Sequence, residues 1–110
     1  MLIPLPEKLS LNKFYSGMHW SKRKKIADEW HRALLPYKKK LTPEETPTGV
    51  TYDFYLKGKL LDVSNCCGMV KLLEDSMVVN GILEDDSPEY VREITVSVRK
   101  GSNEVDITFY

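Results

Sequence analysis

The sequence predicts an α+β domain, in which two helices pack on a small mixed β-sheet in the order β-α-β-α-β-β. Three observations predict this class. A chain of 110 residues is long enough for one hydrophobic core but not for two, so residues 1–110 are interpreted as a single domain. Two segments carry apolar residues at helical spacing, and the segments between and after them alternate apolar with polar residues.

The N-terminal elements are an edge strand and a helix. LIPLP suits an edge strand because its prolines cannot donate to a ladder. LSLNKFYSGMHW mixes polar and aromatic residues and is predicted to be irregular. A helix then begins with Ser21 as its N-cap and ends near Pro36. Its apolar positions are Ile26, Trp30, Ala33 and Leu34.

The remaining elements are a strand, a helix and two further strands. VTYDFYLKG alternates as a half-buried strand does. The second helix is predicted from Ser64 to Val79, and Asn80-Gly81 is a common signal for a helix end. YVREITVSVRK and VDITFY are separated by GSN, which predicts a hairpin.

Composition excludes several classes of protein. No apolar run approaches the roughly 18 residues of a membrane span, and MLIPLPEKLS does not resemble an export signal. We therefore expect a cytoplasmic protein without a membrane partner. Phosphate-binding glycine motifs are missing, so no nucleotide cofactor is expected. The neighbours Cys66 and Cys67 lack zinc-site spacing with His19 or His31, and are predicted to be ordinary buried thiols.

The formal net charge of zero hides an asymmetry between the two parts of the chain. Residues 1–40 carry ten Lys and Arg against three Asp and Glu, a surplus of seven positive charges. Residues 41–110 carry six against thirteen, a surplus of seven negative charges. Such asymmetry indicates nucleic-acid contact on the basic side, with a divalent metal to neutralise the acidic side.

The second helix is predicted to have two different faces. On a helical wheel Cys66, Met69, Val70, Leu73 and Met77 can face the sheet, while Ser64, Gly68, Lys71 and Asp75 line the opposite side. Gly68 permits close packing against another element, or the approach of a phosphate or metal. Lys71 and Asp75 can form a solvated i,i+4 pair.

Carboxylates flank this helix. Asp62 precedes it, where it can act as a helix cap, and ILEDDSPEYV follows it. If the chain returns Asp86 towards Asp62, the two supply the hard oxygen ligands that Mg²⁺ prefers. Lys71 would then lie beside the acidic cluster as a cation for a phosphate.

These residues resemble the RusA family of Holliday-junction resolvases, small phage and prophage endonucleases. The likeness rests on Asp62-Val63-Ser64-Asn65, on Lys71 followed by Asp75, and on Glu84-Asp85-Asp86. The distance from Asp62 to Lys71 is a few residues longer than in the family, so the alignment needs an insertion near Cys66-Cys67-Gly68. The opening IPLP with Asn12, Lys13 and Tyr15 is also similar.

The resemblance implies a dimeric, Mg²⁺-dependent nuclease that makes paired nicks across a four-way DNA junction, with Mn²⁺ as a substitute metal. By position, Asp62 and Asp86 would be metal ligands and Lys71 the catalytic lysine. Ser64 stands where the family has a second aspartate, so the site lacks one charge, for which Asp75 or Asp85 could compensate.

DNA contact is expected from the basic part of the chain. The candidates are Asn12, Lys13, Trp20, Lys22, Arg23, Lys24 and Lys25. Lysines and arginines bind phosphates with release of counterions, and Trp20 can stack on an exposed base. The alternative is that SKRKK is a solvated helix start. A homodimer would match the two-fold junction, with aromatic residues of the strands as its candidate contacts: Tyr52, Phe54, Tyr55, Phe109 and Tyr110.

Three hypotheses therefore stand at this point: a metal-dependent junction resolvase, a non-catalytic junction-binding or recombination-accessory protein, and a protein-binding phage factor whose lysines only solubilise it.

Overall fold

The strands form one mixed sheet in the computed structural model, which describes all 110 residues. They are β1 (Leu2–Pro4), β2 (Gly49–Leu56), β3 (Glu93–Lys100) and β4 (Glu104–Phe109). The sheet order is β1-β4-β2-β3, with β2 parallel to β3 and β4 antiparallel to both β1 and β2. The predicted α+β class with a small mixed sheet is confirmed.

Two long helices and two short ones accompany the sheet. They are α1 (Leu11–Tyr15), α2 (Trp20–Leu34), α3 (Lys38–Leu41) and α4 (Cys67–Val79). Single 3-10 turns at Leu35–Tyr37 and Val63–Cys66 precede α3 and α4. The short helices are additions to the predicted order, because a helix of four or five residues is too short to show a periodic pattern.

Two predictions about the N-terminal part are wrong. The segment predicted to be irregular contains α1, whose N-cap Ser10 accepts a hydrogen bond from the Lys13 backbone N–H (3.1 Å). The N-cap of α2 is His19 instead of Ser21. The Nδ1 of His19 accepts from the Ser21 backbone N–H at 3.2 Å, so an imidazole supplies the acceptor that a serine hydroxyl usually provides.

The predicted hairpin between β3 and β4 is also wrong, because β2 lies between them. The three-residue link crosses over the end of β2, and the Gly101 N–H donates to the Leu56 carbonyl (2.9 Å). A Cβ at Gly101 would overlap the Tyr55 Cβ, so only glycine fits this crossing. Asn103 completes the link in the left-handed region (φ 60°), and its side chain accepts from the Lys57 N–H (2.9 Å).

The core lies between α2, α4 and one face of the sheet. The predicted inner face of the second helix is buried throughout, with Met69, Val70, Leu73 and Met77 in α4 and Cys66 in the 3-10 turn before it. Leu72 and Ser76 are buried as well, because α2 packs on that side of α4. The sheet contributes Val50, Tyr52, Phe54, Leu56, Val105 and Ile107. No helix has both the length and the apolar composition needed to cross a bilayer.

Candidate active site

Helix α4 ends in a turn that folds the acidic segment back along the helix. Asn80 is the C-cap, and Gly81 adopts φ +75°, a left-handed conformation favoured by glycine. The Ile82 N–H donates to the Met77 carbonyl (2.8 Å), which closes the last turn of α4. Ile82 and Leu83 then enter the core, so the residues after them return towards α4.

This return brings Asp86 to Lys71. The Lys71 Nζ lies 2.7 Å from Asp86 Oδ2 and 3.2 Å from Asp75 Oδ1, so one ammonium joins two carboxylates. Lys71 and Asp75 form the predicted i,i+4 pair, and Asp86 comes from 15 residues further along. The hydrogen bond to Asp86 is the largest contribution that raises the pKa of Lys71, and the same bond lowers the pKa of Asp86.

Glu74 is a further member of this cluster that sequence reasoning did not select. Its side chain is half-buried, and burial raises its pKa. The Lys71 charge opposes that rise, while Asp86 and Asp75 add to it. Its position three residues after Lys71, about one helical turn along α4, was the signal available in the sequence.

The core behind the cluster holds an unpaired phenol. Tyr52 on β2 is fully buried, and its hydroxyl has no hydrogen-bond partner. Burial raises the pKa of Tyr52, and the charge of Glu74 raises it further. The charge of Glu74 therefore interacts with the Lys71 cluster and also with the buried Tyr52 hydroxyl.

Asp62 lies at the start of the 3-10 turn that precedes α4, and its carboxylate makes no hydrogen bond or ion pair. Its carbonyl accepts from the N–H groups of Asn65 (2.9 Å) and Cys66 (3.2 Å), so the backbone of Asp62, and not its side chain, caps the turn. Ser64 is exposed beside it. Asp62 also lines an open groove with Lys8, Ser10, Lys59 and Asn65.

The four candidate metal ligands are therefore in different situations. Asp75 and Asp86 meet at Lys71, whereas Asp85 accepts a hydrogen bond from the Asp86 N–H (2.9 Å) and Asp62 forms no ion pair with Lys71. No group of three or more His, Cys, Asp or Glu side chains lies close enough together to hold a metal ion. The oxygen donors of Asp75 and Asp86 suit Mg²⁺, which commonly takes one or two carboxylates and keeps several waters. Asp62 and Asp85 stay predictions as ligands.

Gly68 serves close packing. A Cβ there would lie 3.0 Å from the Leu11 Cα, so α1 crosses α4 at this glycine. Of the two interpretations of this residue, close contact between elements is the one that the geometry supports. Asn12 and Lys13 follow Leu11 directly, so this contact also holds them near the start of α4. Both residues are exposed.

The candidate DNA-binding residues at the start of α2 are accessible. Trp20 is 66% exposed and packs at a tilt against His19, with ring centroids 5.6 Å apart. Lys22, Lys24 and Lys25 are exposed, Arg23 is partly buried, and none of the four forms an ion pair. Trp30 by contrast is fully buried.

The two cysteines differ in their surroundings. Cys66 is buried in the core, and burial, with smaller effects of Cys67 and Asp62, raises its pKa to about 11. Cys67 is exposed, so the expectation of two buried thiols is wrong for that residue. It begins α4, where the helix turns its first residue outwards.

Together these features define an α+β domain that has a lysine held between two carboxylates on α4 and an exposed basic start of α2. No protein-family model matches the chain, and a search of curated proteins finds no similar sequence.

Proposed function

We propose that the protein is a Mg²⁺-dependent endonuclease of the RusA type that resolves four-way DNA junctions by paired nicks in the cytoplasm of a bacterial host. The observation that carries the proposal is the contact of Lys71 with both Asp75 and Asp86. These are three of the residues on which the resemblance depends, and Asp86 reaches the other two only through the turn after α4. This arrangement supports the proposal because the candidate catalytic lysine lies beside two of the four candidate metal ligands.

Lys71 would stabilise the scissile phosphate. Hydrolysis of a phosphodiester builds negative charge on the non-bridging oxygens, and a fixed ammonium lowers the energy of that state. The ion pairs orient Lys71 and raise its pKa, so it stays charged at any physiological pH. Half of the side chain is exposed, so a phosphate can reach it.

Asp86 and Asp75 would hold the cation. The lowered pKa of Asp86 keeps this carboxylate ionised, as a metal ligand must be. Asp75 and Asp86 would hold Mg²⁺ next to the phosphate, where the cation would supply positive charge and lower the pKa of a coordinated water. The carboxylates by themselves repel DNA, and a bound dication reverses the local sign.

The basic start of α2 and the residues of α1 would hold the DNA. Lys22, Lys24 and Lys25 have no acidic partner to displace, so their charges are available to phosphates. The exposed Trp20 indole offers a flat surface on which an unpaired base at a junction can stack. A homodimer would present two such sites to the two-fold junction.

The test is cleavage of a labelled synthetic four-way junction with Mg²⁺ or Mn²⁺. We expect paired symmetric nicks from the wild-type protein and none from Asp86→Asn, which keeps the size of the side chain but removes its charge. Glu44→Gln is the matched control, since Glu44 is exposed and forms no ion pair or side-chain hydrogen bond. Intact junctions with either metal would contradict the proposal.

The second candidate is a non-catalytic junction-binding protein. It is favoured by Ser64 at the position of an expected aspartate and by the Asp62 carboxylate, which forms no ion pair with Lys71. In that case the junction is bound in a salt-sensitive manner and stays intact, and Asp62→Asn binds as the wild type does. A protein that fails to bind DNA even at low salt would favour the third candidate, a protein-binding phage factor.

A further inference from the structure

The two edges of the sheet are protected very differently. β1 is three residues long and ends at Pro4, which has no N–H to offer another strand. β3 forms the opposite edge, is eight residues long and contains no proline. Its backbone makes no hydrogen bond outside its pairing with β2. The donors and acceptors along its free side are therefore open to a further strand.

The core-side row of β3 is apolar in the middle and basic at both ends. Ile94 is 45% exposed, and Val96 and Val98 are only partly buried, although their partners on β2 are fully buried. Side chains two residues apart share a face of a strand, so Lys100 continues this row at one end and Arg92 at the other. Both basic side chains are exposed, and neither forms an ion pair.

The outer side of β3 carries one acid and one base. Glu93 and Arg99 stand at its two ends, and both are exposed. Glu93 has no ionic partner in the chain, and Arg99 contacts Tyr55 through a 3.3 Å hydrogen bond to its hydroxyl. Residues 92–100 therefore carry three positive charges against one negative charge, and the edge is basic.

A second copy of this chain is a poor partner for such an edge. In the antiparallel register centred on Val96, Glu93 faces Arg99 of the other copy. The same register sets Arg92 against Lys100, so each attraction is offset by a repulsion. Registers shifted by one residue in either direction place a basic side chain of the row against an apolar one. The basic ends thus act against self-pairing, as charges on edge strands commonly do.

We propose that the β3 edge binds an extended acidic peptide of another protein, which adds a fifth strand to the sheet. Apolar side chains of the peptide lie against Ile94 and the two valines of the core-side row, and its carboxylates meet Arg92 and Lys100 at the two ends. On the outer side a further carboxylate meets Arg99, and a cation meets Glu93. Main-chain hydrogen bonds to the open edge give the affinity, and the charges select the partner.

The interface goes beyond the proposed function, since it follows from β3 whether or not the protein cuts DNA. It also leaves a homodimer to another surface. Two of the aromatic candidates for a dimer contact, Tyr52 and Phe54, are buried in the core and are not accessible to a partner of any kind.

The test is fluorescence anisotropy with two labelled peptides of opposite charge pattern. Paired antiparallel with residues 92–100, the peptide EEVTVTVKE places acids against the three basic side chains and its lysine against Glu93. The peptide KKVTVTVEK keeps the apolar row and reverses every charge. We expect saturable binding of EEVTVTVKE below about 1 mM, and binding of KKVTVTVEK that is weaker by at least about tenfold. EEVTPTVKE should not bind, because its proline removes a main-chain donor.

The variant Arg92→Glu/Lys100→Glu should reverse this preference. Its affinity for EEVTVTVKE should fall by about tenfold and its affinity for KKVTVTVEK should rise by a similar factor, because two attractive pairs become repulsive and two repulsive pairs become attractive. Arg32→Glu/Lys39→Glu is the matched control, with the same change of total charge at exposed positions of α2 and α3. It should keep the preference of the wild type.

Circular dichroism verifies that every variant is folded. Equal binding of the two charged peptides, binding that survives the proline, or a preference unchanged in Arg92→Glu/Lys100→Glu would each overturn the inference. A wild-type dimer in sedimentation velocity that Ile94→Glu converts to a monomer would also overturn it, since a second copy would then occupy the edge. Peptide binding by a protein that leaves junctions intact would contradict only the nuclease, and junction cleavage without peptide binding would contradict only the interface.

Discussion

The buried hydroxyl of Tyr52 leads us to predict that a substitution in the core will stabilise the protein, whereas most core substitutions destabilise. Tyr52 lies on β2 beneath α4, is fully buried, and donates no hydrogen bond. Its ring is stacked against Phe54 with centroids 6.4 Å apart, so the ring itself is well packed. Replacing it by phenylalanine removes only the unpaired oxygen and should stabilise the protein.

The magnitude follows from two opposing contributions. An unpaired buried polar group costs about 1–3 kcal/mol relative to its hydrated state, and Tyr52→Phe recovers that amount. Removing one atom from a packed core also forfeits roughly 0.5–1 kcal/mol of van der Waals attraction. We therefore expect the free energy of unfolding to increase by about 1 kcal/mol, the difference between these two contributions.

The assay is urea unfolding followed by circular dichroism, with Tyr37→Phe as the matched control. Tyr37 is only partly buried and its hydroxyl makes no hydrogen bond within the chain, so this change should stay within about 0.5 kcal/mol. A decrease of about 1 kcal/mol or more in Tyr52→Phe would refute the reasoning. It would mean that the hydroxyl has a hydrogen-bond partner in solution, for which Glu74 is a candidate because its charge acts on Tyr52.

Four further predictions concern the site, the fold and DNA binding. Lys71→Met should lower the rate of nicking at least about a hundredfold, yet change the free energy of unfolding by no more than about 1 kcal/mol, because its ion pairs are exposed. A decrease in the free energy of unfolding that is large enough to explain the slower nicking would contradict this prediction. Burial raises the pKa of Glu74, so the folded state holds the proton more tightly and stability falls as pH rises above the ordinary pKa of glutamate. In urea unfolding Glu74→Gln should therefore be more stable relative to the wild type at high pH than at low pH, and a difference that is independent of pH would exclude this effect. Gly101→Ala should destabilise by about 1–3 kcal/mol or prevent folding, since its Cβ overlaps Tyr55, and an unchanged thermal midpoint would be incompatible with the crossing. Lys24→Ala should reduce the slope of junction affinity against salt by about one phosphate contact, and an identical slope would rule out a contact there.

Several elements were predictable from local sequence because local physics decides them. The inner face of α4 was predicted residue by residue, since a buried helix repeats its apolar positions every three or four residues. The end of α4 was marked by Asn80-Gly81, because few other residues adopt the left-handed conformation that Gly81 has. The i,i+4 contact of Lys71 with Asp75 likewise follows from helix geometry alone.

Strand order was not predictable in the same way. β3 and β4 are separated by three residues, which normally indicates a hairpin, yet β2 takes the place between them. The decisive factor is the close passage of Gly101 over Tyr55, a contact between residues that are far apart in the sequence. Sheet order depends on such long-range contacts, and alternation along a strand carries no information about its neighbours.

The sequence by itself determined the composition of the site: a lysine and an aspartate on one helix face, an acidic turn after it and a basic segment before it. The tertiary structure alone decided that Asp86 forms an ion pair with Lys71 while Asp62 does not, and that the charge of Glu74 acts both on this cluster and on the unpaired Tyr52 hydroxyl. The physical reason is that these contacts join residues at very different separations along the sequence. A helical contact is fixed within four residues, whereas the path of the chain after α4 is set by the burial of Ile82 and Leu83 in a core to which the whole chain contributes.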